Sequence, residues 1–354
     1  MKKYQVVLTL QSSANAGSKA PNDVRKIADK LGFEEIIVNL KGYTSSYIDK
    51  VNNQITYMNE WRKVYKKIQP HSILLVQVPF YARQFGRLHY FKKLKYHKAV
   101  KLIFVVHDVE ELRGAYENNL QRKQFDAMLN LADVIIEHNK KMADFFIKKG
   151  YPKDRLVNLD IFDYLCDYEK LSNKKVDFTK NVIIAGNLDV QKTKYLKDLD
   201  TIDTVFSLYG PNFTQKSGKN IIYNGVISSE KLPIMLNQGF GLIWDGNSIR
   251  TCSGAFGNYL RYNDPHKLSL YLVSGLPVFI WKNAAEADFV IKNGVGYTIG
   301  SLEEIPSILN NITQEEYGIF LKNVQIISRK LSIGWYTKQA ITKALKIINT
   351  SNNK

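Results

Sequence analysis

A lysine at the start of a predicted helix is the first candidate for chemistry in this chain of 354 residues. Within residues 263–281, NDPHKLSLYLVSGLPVFIW, Asp264 is the predicted N-cap and Pro265 the first helical residue. The free amides at this positive end of the helix dipole would belong to His266, Lys267 and Leu268. A bound phosphate would relieve the unfavourable position of the Lys267 charge. The alternative is an ordinary surface helix that carries a stray lysine.

A second possible anion site follows the predicted strand at residues 181–185. Gly186 and Asn187 form a turn there, and Lys192 comes shortly after it. Glycine allows a phosphate to approach the backbone closely, although an ordinary tight turn has the same sequence. Two later strands end at Tyr209 and at Trp244-Asp245. Because these ends meet at one sheet edge, the aromatic rings would stack on a uracil there, or alternatively pack in the core.

The first half of the chain offers a proton-transfer pair and a polar loop. A strand at residues 102–106 delivers His107 and Asp108 to the carboxyl edge of a sheet, where open α/β folds bind substrates. The alternative is that both side chains only cap the next segment. The loop after the first strand contains Asn15, Gly17 and Ser18, which either contact a substrate or connect a strand to a helix.

Strands and helices alternate throughout the chain, which predicts an α/β protein with two doubly wound domains. The polar stretch at residues 160–180 is typical of a domain crossing. Residues 247–262 form a predicted loop of sixteen residues, which we interpret as a flap over a bound ligand.

Three short motifs resemble a known family. The run N-x-P-H-K-x-x-x-Y-L-x-x-G-L-P-V at residues 263–278 resembles the donor segment of bacterial galactofuranosyltransferases and of the glucosyltransferases that extend sugars on serine-rich-repeat adhesins. NAGSKAPNDV at residues 15–24 and HDVEELR at residues 107–113 resemble their donor-facing loop and acceptor-side segment. The donor residues implied by the resemblance are Asn263, His266, Lys267, Leu268 and Ser269, with the lysine and the following amides on the diphosphate.

The resemblance implies a GT-B fold, in which two Rossmann-like domains face each other across a cleft. The expected domains are an acceptor domain at residues 1–165, a nucleotide-sugar domain at 166–332, and a helix at 333–354 that packs back on the first domain. The expected function is transfer of glucose, galactose or galactofuranose from a UDP-sugar to a hydroxyl of a glycan, glycolipid or glycoprotein. The resemblance also implies inversion and a homo-oligomer.

The residues assign roles in such a transfer. Asp108, with His107, would be the base, and Lys267 with the helix amides would stabilise the leaving diphosphate. No Asp-x-Asp pair that could hold Mg²⁺ on a diphosphate follows a predicted strand, so we expect no metal and no cofactor. The main alternative is a catalytically silent sugar-binding or chaperone partner. A Rossmann oxidoreductase is disfavoured because no G-x-G-x-x-G follows a predicted strand.

The net charge of +17 is concentrated in the first half, where residues 1–160 hold 28 Lys and Arg against 16 Asp and Glu. A helix near residues 84–96 interleaves aromatic and basic residues, which predicts a surface for anionic lipid or, alternatively, a solvated helix face. The basic residues there are Lys92, Lys93, Lys95, Lys98 and Lys101. No nucleic-acid-binding motif is evident. The N-terminus is predicted to be a strand, and no apolar run is long enough to span a bilayer, so we expect a protein of the cytoplasm or of the inner face of the membrane.

Overall fold

The computed structural model describes residues 1–10, 19–41, 45–80, 83–114, 119–215 and 218–351. The chain divides into two compact units. The first unit comprises Met1–His138, Ala143–Leu159 and Thr337–Lys354, and the second comprises Asn139–Met142 and Asp160–Tyr336.

Each unit contains one six-stranded sheet, and every strand pairing among the described residues is parallel. The strands of the first unit are β1 Lys3–Leu10, β2 Glu34–Leu40, β3 Ile73–Val78, β4 Lys101–Val106, β5 Val134–Glu137 and β6 Leu156–Asn158. Those of the second unit are β7 Asp177–Ala185, β8 Val205–Tyr209, β9 Ile221–Tyr223, β10 Gln238–Ile243, β11 Val278–Trp281 and β12 Gly296–Ile299. The apolar runs of the central strands are buried, as is typical of parallel sheets covered on both faces.

Helices connect the strands and cover the sheets. Those up to the end of β6 are α1 Lys19–Lys30, α2 Tyr47–Lys67, α3 Arg87–Lys98, α4 Glu110–Arg113, α5 Asn119–Leu129 and α6 Lys140–Lys148. The later helices are α7 Tyr168–Ser172, α8 Leu232–Met235, α9 Gly254–Tyr259, α10 His266–Val273, α11 Ala287–Asn293, α12 Ile305–Asn311, α13 Gln314–Ile333 and α14 Trp335–Ser351. Short 3₁₀ helices lie at Lys153–Arg155, Lys194–Thr201 and Leu302–Glu304. In the part of the chain that the structure describes, no helix is both long and apolar enough to cross a membrane.

The strand order places a topological switch point in each sheet. The first sheet has the order β2-β1-β3-β4-β5-β6, so the chain changes direction between β1 and β3. The second has the order β12-β11-β10-β7-β8-β9, so it changes direction between β7 and β10. Ligands of open α/β sheets bind beyond the carboxyl ends of the strands at such a point. The predicted α/β class with two doubly wound sheets is therefore confirmed.

The prediction that residues 247–262 form a loop without secondary structure is wrong. Residues Gly254–Tyr259 form α9 within it, and both Gly257 and Tyr259 are buried. Two of the six residues of α9 are glycines and one is an asparagine, which lowers the helix propensity, so the sequence gives little sign of this turn and a half of helix. Cys252 and Leu260 of this stretch belong to the hydrophobic core of the second unit, and Tyr259 is buried.

Candidate functional site

Two lysines surround one buried carboxylate at the carboxyl edge of the second sheet. Nζ of Lys267 lies 2.8 Å from Oδ1 of Asp245 and donates to the carbonyl of Trp244 at 3.2 Å. Nζ of Lys192 lies 3.9 Å from Oδ2 of the same carboxylate. The side chains of Lys267 and Asp245 are only 12% and 8% exposed. The cluster therefore holds two cations and one anion. Because Lys267 is buried and paired, the alternative of an ordinary surface helix with an exposed lysine is excluded.

Burial lowers the pKa of Lys267, and the charge of Lys192 lowers it further, whereas Asp245 opposes both effects. A buried ammonium with one carboxylate partner remains short of negative charge when a second cation shares that partner. A diphosphate would supply the missing charge. The arrangement can therefore bind an anion more strongly than an isolated surface lysine would.

The cluster lies at the switch point between β7 and β10. Asp245 follows β10 by two residues, and Gly186 directly follows β7. The segment after Gly186 returns to the end of β10, where the amide of Gly246 donates to the carbonyl of Lys192 at 2.9 Å. The structure thus brings together the two anion sites that the sequence predicted separately.

Gly186 leaves open space beside the backbone. Its φ is 134°, and no atom lies within 4 Å of the position that a Cβ would take. Its amide donates to the carbonyl of Tyr209 at 2.9 Å. The side-chain oxygen of Asn187 accepts from the amide of Asp189 and from the side chain of Asn212, so this oxygen stabilises the turn. The turn can admit a ligand at Gly186, as predicted from its sequence.

The helix that carries Lys267 begins differently from the prediction. Pro265, not Asp264, is the N-cap of α10, and it makes no side-chain capping bond. The carboxylate of Asp264 is buried and accepts the amide of Phe162, which lies 102 residues earlier. The amide of Leu268 donates to the carbonyl of Pro265 at 2.8 Å, so it is not one of the free amides that the sequence predicted. Asp264 therefore forms a long-range hydrogen bond with Phe162 instead of capping α10.

Three predicted donor-binding side chains on α10 contact the protein itself. The ring of His266 stacks on Tyr164 with centroids 4.9 Å apart, and its Nε2 lies 3.2 Å from the carbonyl of Asp163. Leu268 and Ser269 are fully buried, and the hydroxyl of Ser269 donates to the carbonyl of Phe162 at 2.6 Å. Both side chains therefore face the interior and do not face a ligand. The resemblance assigns the backbone amides to the diphosphate, so the donor contact of Ser269 stays a prediction, whereas the amide of Leu268 already donates to Pro265.

Asn263 remains a candidate for ligand contact. Its side chain is partly buried, and its Oδ1 is shielded from solvent with no hydrogen-bond partner among the residues that the structure describes. A buried acceptor without a donor is costly, so a ligand hydroxyl or a water is the expected partner.

The two predicted aromatic contacts differ. Tyr209 ends β8 beside Gly186 and is half-buried, and burial raises the pKa of its hydroxyl. Trp244 is fully buried, and its indole nitrogen donates to the carbonyl of Ser248 at 2.9 Å. The prediction that Trp244 stacks on a nucleotide is therefore wrong, because its ring is part of the core. Only its backbone carbonyl contributes to the lysine cluster.

The first unit holds the predicted proton-transfer pair at the edge of its sheet. Nε2 of His107 lies 2.6 Å from Oε1 of Gln77, near the end of β3. Since an amide oxygen only accepts, Nε2 carries a proton in this geometry. Oδ2 of Asp108 lies 3.4 Å from Arg113, which also pairs with Glu110 at 2.9 Å. Asn15, Gly17 and Ser18 lie outside the described residues.

Burial and the neighbouring Asp108 raise the pKa of Glu110, whereas Arg113 lowers it. Two carboxyl groups therefore share one guanidinium at this sheet edge. Such an arrangement can accept a proton from a hydroxyl while the arginine limits repulsion between the acids.

His138 also belongs to this edge, although it was not predicted from the sequence. It directly follows β5, is fully buried, and has Nε2 3.0 Å from the carbonyl of Val106. Burial lowers its pKa to about 4, against the opposing effect of Asp108. The same strand-end rule that identified His107 would have found His138.

Comparisons with known proteins cover both units. The family model described as glucosyltransferase 3-like, N-terminal domain, matches residues 3–161. The model described as glucosyltransferase 3-like, C-terminal domain, matches residues 182–344. The two matches together span most of the chain.

Two curated relatives and one solved structure are similar to this chain. Beta-1,6-galactofuranosyltransferase WbbI of Escherichia coli K12 is 34% identical over 283 residues, which cover 80% of this chain and 82% of that protein. Glucosyltransferase 3 of Streptococcus gordonii is 25% identical over 328 residues, covering 92% and 93%. A crystal structure of a glycosyltransferase from Rickettsia africae has a TM-score of 0.62 at 14% identity, covering 98% and 99%.

Proposed function

Because the chain belongs to the glucosyltransferase 3-like family and has the GT-B fold, we propose that it transfers a hexose from a UDP-sugar to a hydroxyl of a glycan acceptor. It is a glycosyltransferase. Glucose, galactose and galactofuranose are the candidate sugars, since its relatives include a galactofuranosyltransferase and a glucosyltransferase. The observation that supports a sugar nucleotide is the pair of lysines around Asp245 at the switch point between β7 and β10.

The donor diphosphate is proposed to take the place of Asp245 as the main partner of Lys267. The ammonium already lies at the start of α10, where the helix dipole favours negative charge. Lys192 supplies a second cation, and the open turn at Gly186 allows close approach of the ligand. We assign Tyr209 and Asn263 to contacts with the nucleoside, because Tyr209 is partly exposed and the buried Oδ1 of Asn263 has no hydrogen-bond partner within the described part of the chain.

Transfer requires a base for the acceptor hydroxyl and stabilisation of departing UDP. We assign the first role to Asp108, with His107 as its neighbour. The acceptor oxygen would form a bond to the anomeric carbon while the bond to the β-phosphate oxygen breaks. The hydroxyl proton would pass to Asp108, and the charge of UDP would be held by Lys267 and Lys192.

Inversion and metal independence belong to the same proposal. A single displacement at the anomeric carbon inverts its configuration, and two lysines can balance the diphosphate charge without Mg²⁺. NMR of the product anomer tests inversion, and assays with excess EDTA test the metal. Retention, or loss of activity in EDTA that Mg²⁺ restores, would contradict the respective statement.

A screen of UDP-sugars for hydrolysis, thermal stabilisation and transfer tests the function as a whole. We expect one UDP-hexose to be turned over by the native chain and not by Lys267→Met. Binding without turnover of any sugar would support a catalytically silent partner instead. Self-association and an acceptor held at an anionic membrane inside the cell are also proposed, and sedimentation velocity measures the first.

A further inference from the structure

The first half of α2 exposes a line of apolar side chains. Ile48, Val51, Ile55 and Met58 are spaced by three, four and three residues, so they lie along one face of the helix. Ile48 is 71% exposed and Ile55 is 57% exposed. We call these four residues the α2 ridge. The buried residues of the helix begin only at Tyr57, on the opposite side.

The same face continues into positive charge. Arg62 and Lys66 follow Met58 at intervals of four residues and are exposed. Lys63 and Lys67 beside them pair with Glu60 and Glu34. Among the described residues Arg62 and Lys66 have no ion pair, so their charges face solvent. One continuous strip of the helix is therefore apolar in its first half and cationic in its second.

An aromatic side chain widens the α2 ridge. The side chain of Gln54 accepts from the amide of Phe85 at 3.0 Å and donates to the carbonyl of Arg83 at 3.2 Å. The ring of Phe85 is 46% exposed, and the guanidinium of Arg83 lies 5.0 Å from its centre. The ridge is thus flanked by a further apolar group and a further cation.

An exposed row of branched aliphatic residues on a helix indicates a partner that the isolated chain lacks. The surrounding charge indicates what that partner is, because residues 45–98 carry eleven Lys and Arg against two Asp and Glu. An apolar face with basic residues beside it is the pattern of a helix that lies in a membrane interface.

We propose that the α2 ridge docks the protein on an anionic lipid membrane, with the ridge in the headgroup boundary and Arg62, Lys66 and Arg83 on lipid phosphates. This deepens the proposed function and rests on it for a membrane-held acceptor. The proposal places the lipid-binding surface on α2 and not on the basic helix near residues 84–96 that the sequence predicted. Three lysines of the predicted basic helix are held within the protein: Lys95 and Lys101 pair with Asp133, and Lys98 donates to the carbonyls of Tyr65 and Ile68.

The charges beside the α2 ridge favour a lipid membrane over a second copy of the chain as its partner. A two-fold contact of parallel α2 helices would bring Arg62 and Lys66 of one copy beside those of the other. In an antiparallel contact these cations would face the same surface of the other copy, where residues 45–98 hold only two acidic residues. Like charges in a desolvated contact are repulsive, whereas lipid phosphates neutralise them. The charge pattern therefore favours the membrane.

Vesicle flotation at low salt tests the proposal with the full-length protein. The ridge variant is Val51→Ser/Ile55→Ser, and its matched control is Ile319→Ser/Ile326→Ser, which removes two exposed isoleucines from α13. We expect the native chain and the control to float with phosphatidylglycerol-rich vesicles and not with phosphatidylcholine vesicles. The ridge variant should bind at least about tenfold more weakly. Thermal unfolding verifies that each variant is folded.

A variant without Arg62 and Lys66 tests the contribution of the cations separately from that of the apolar α2 ridge. Arg62→Gln/Lys66→Gln should weaken vesicle binding by roughly fivefold for each cation, and the control Lys322→Gln/Arg329→Gln should not. Failure of the native chain to float, or equal flotation of variant and control, would overturn the proposal. A concentration-dependent oligomer that the ridge variant dissociates, without vesicle binding, would overturn it in favour of a second copy. If flotation depends on the α2 ridge but no UDP-sugar is turned over, the proposed function is refuted and the membrane-binding role of the ridge is supported.

Discussion

The ammonium of Lys267 lies 2.8 Å from the carboxylate of Asp245, and this pair is buried at the start of α10. Since a diphosphate would compete with Asp245 for the same ammonium, substitution of Lys267 should affect binding and rate together. We expect Lys267→Met to lower kcat/KM for the UDP-sugar by about 10²–10³ and to weaken UDP binding. Steady-state kinetics and UDP titration measure the two effects.

Lys267→Arg serves as the matched variant, because it keeps the charge and changes its geometry. It should retain more UDP affinity than Lys267→Met. Unchanged kinetics in Lys267→Met, with the protein folded, would remove this residue from the mechanism.

The pH dependence of UDP affinity follows from the same lysine. Burial lowers the pKa of Lys267 from the ordinary value of 10.5. Only the protonated ammonium attracts a diphosphate, so affinity should be full at pH values below this pKa and fall as pH rises through it. The loss should therefore begin at a lower pH than for a solvent-exposed lysine. Calorimetric titrations with UDP over alkaline pH measure it, and Lys267→Arg should remove the loss.

Two neighbouring glycines provide a test that separates binding from folding. Gly186 has open space at its Cβ position, whereas a Cβ on Gly210 would lie 1.7 Å from the carbonyl oxygen of Gly186. Both have positive φ, of 134° and 142°, so alanine is strained at either site. We expect Gly186→Ala to fold with a loss of about 1–3 kcal/mol in the free energy of unfolding. It should also weaken UDP binding.

Gly210→Ala should be far more damaging, because the backbone itself must move. Denaturant unfolding and UDP titration of both variants measure the difference. Equal loss of stability in the two variants would contradict the role of open space at Gly186.

Strand ends were predictable from the sequence, but the neighbours of their side chains were not. The apolar runs of parallel strands are distinctive, so His107, Gly186 and Asp245 were placed at sheet edges correctly. An aromatic residue after a strand has the same sequence context whether it faces a ligand or the core. For this reason Trp244 was predicted as a nucleotide contact and is buried.

Long-range hydrogen bonds account for the other differences. Asp264 has the residue type of an N-cap, but the amide of Phe162 is its partner in the fold. Likewise the Lys267–Asp245 pair joins residues 22 positions apart on different elements, which no local pattern reveals. The exposure of the apolar face of α2 could not be predicted either, because the spacing of its apolar residues is also that of a helix packed against a core.

Removal of the proposed base should reduce turnover without affecting donor binding. We expect Asp108→Asn to lower kcat by about 10²–10⁴, with UDP affinity close to that of the native chain. Asparagine keeps the size of the side chain and cannot accept the proton. Single-turnover kinetics with a saturating UDP-sugar measure the effect.

Glu110→Gln is the control, because Glu110 shares Arg113 with Asp108 and carries the other carboxyl group of this edge. We expect a smaller loss than in Asp108→Asn. The reverse order would transfer the role of base to Glu110.

Acid stability should depend on His138. Burial lowers its pKa to about 4 in the folded chain, compared with the ordinary value of 6.5 that it regains on unfolding. Between these values the unfolded chain binds a proton that the folded chain does not, so the free energy of unfolding decreases as pH falls. Above pH 6.5 this loss is absent. The decrease should reach about 3 kcal/mol near the lower value.

His138→Gln removes this titration and keeps a group that can donate to the carbonyl of Val106. The difference in unfolding free energy between the native chain and the variant isolates the histidine, because other groups titrate in both proteins. We expect the native chain to lose about 3 kcal/mol relative to the variant as pH falls through the window. Urea unfolding at a series of pH values measures it. A difference that stays constant would mean that His138 is accessible to protons in the folded protein.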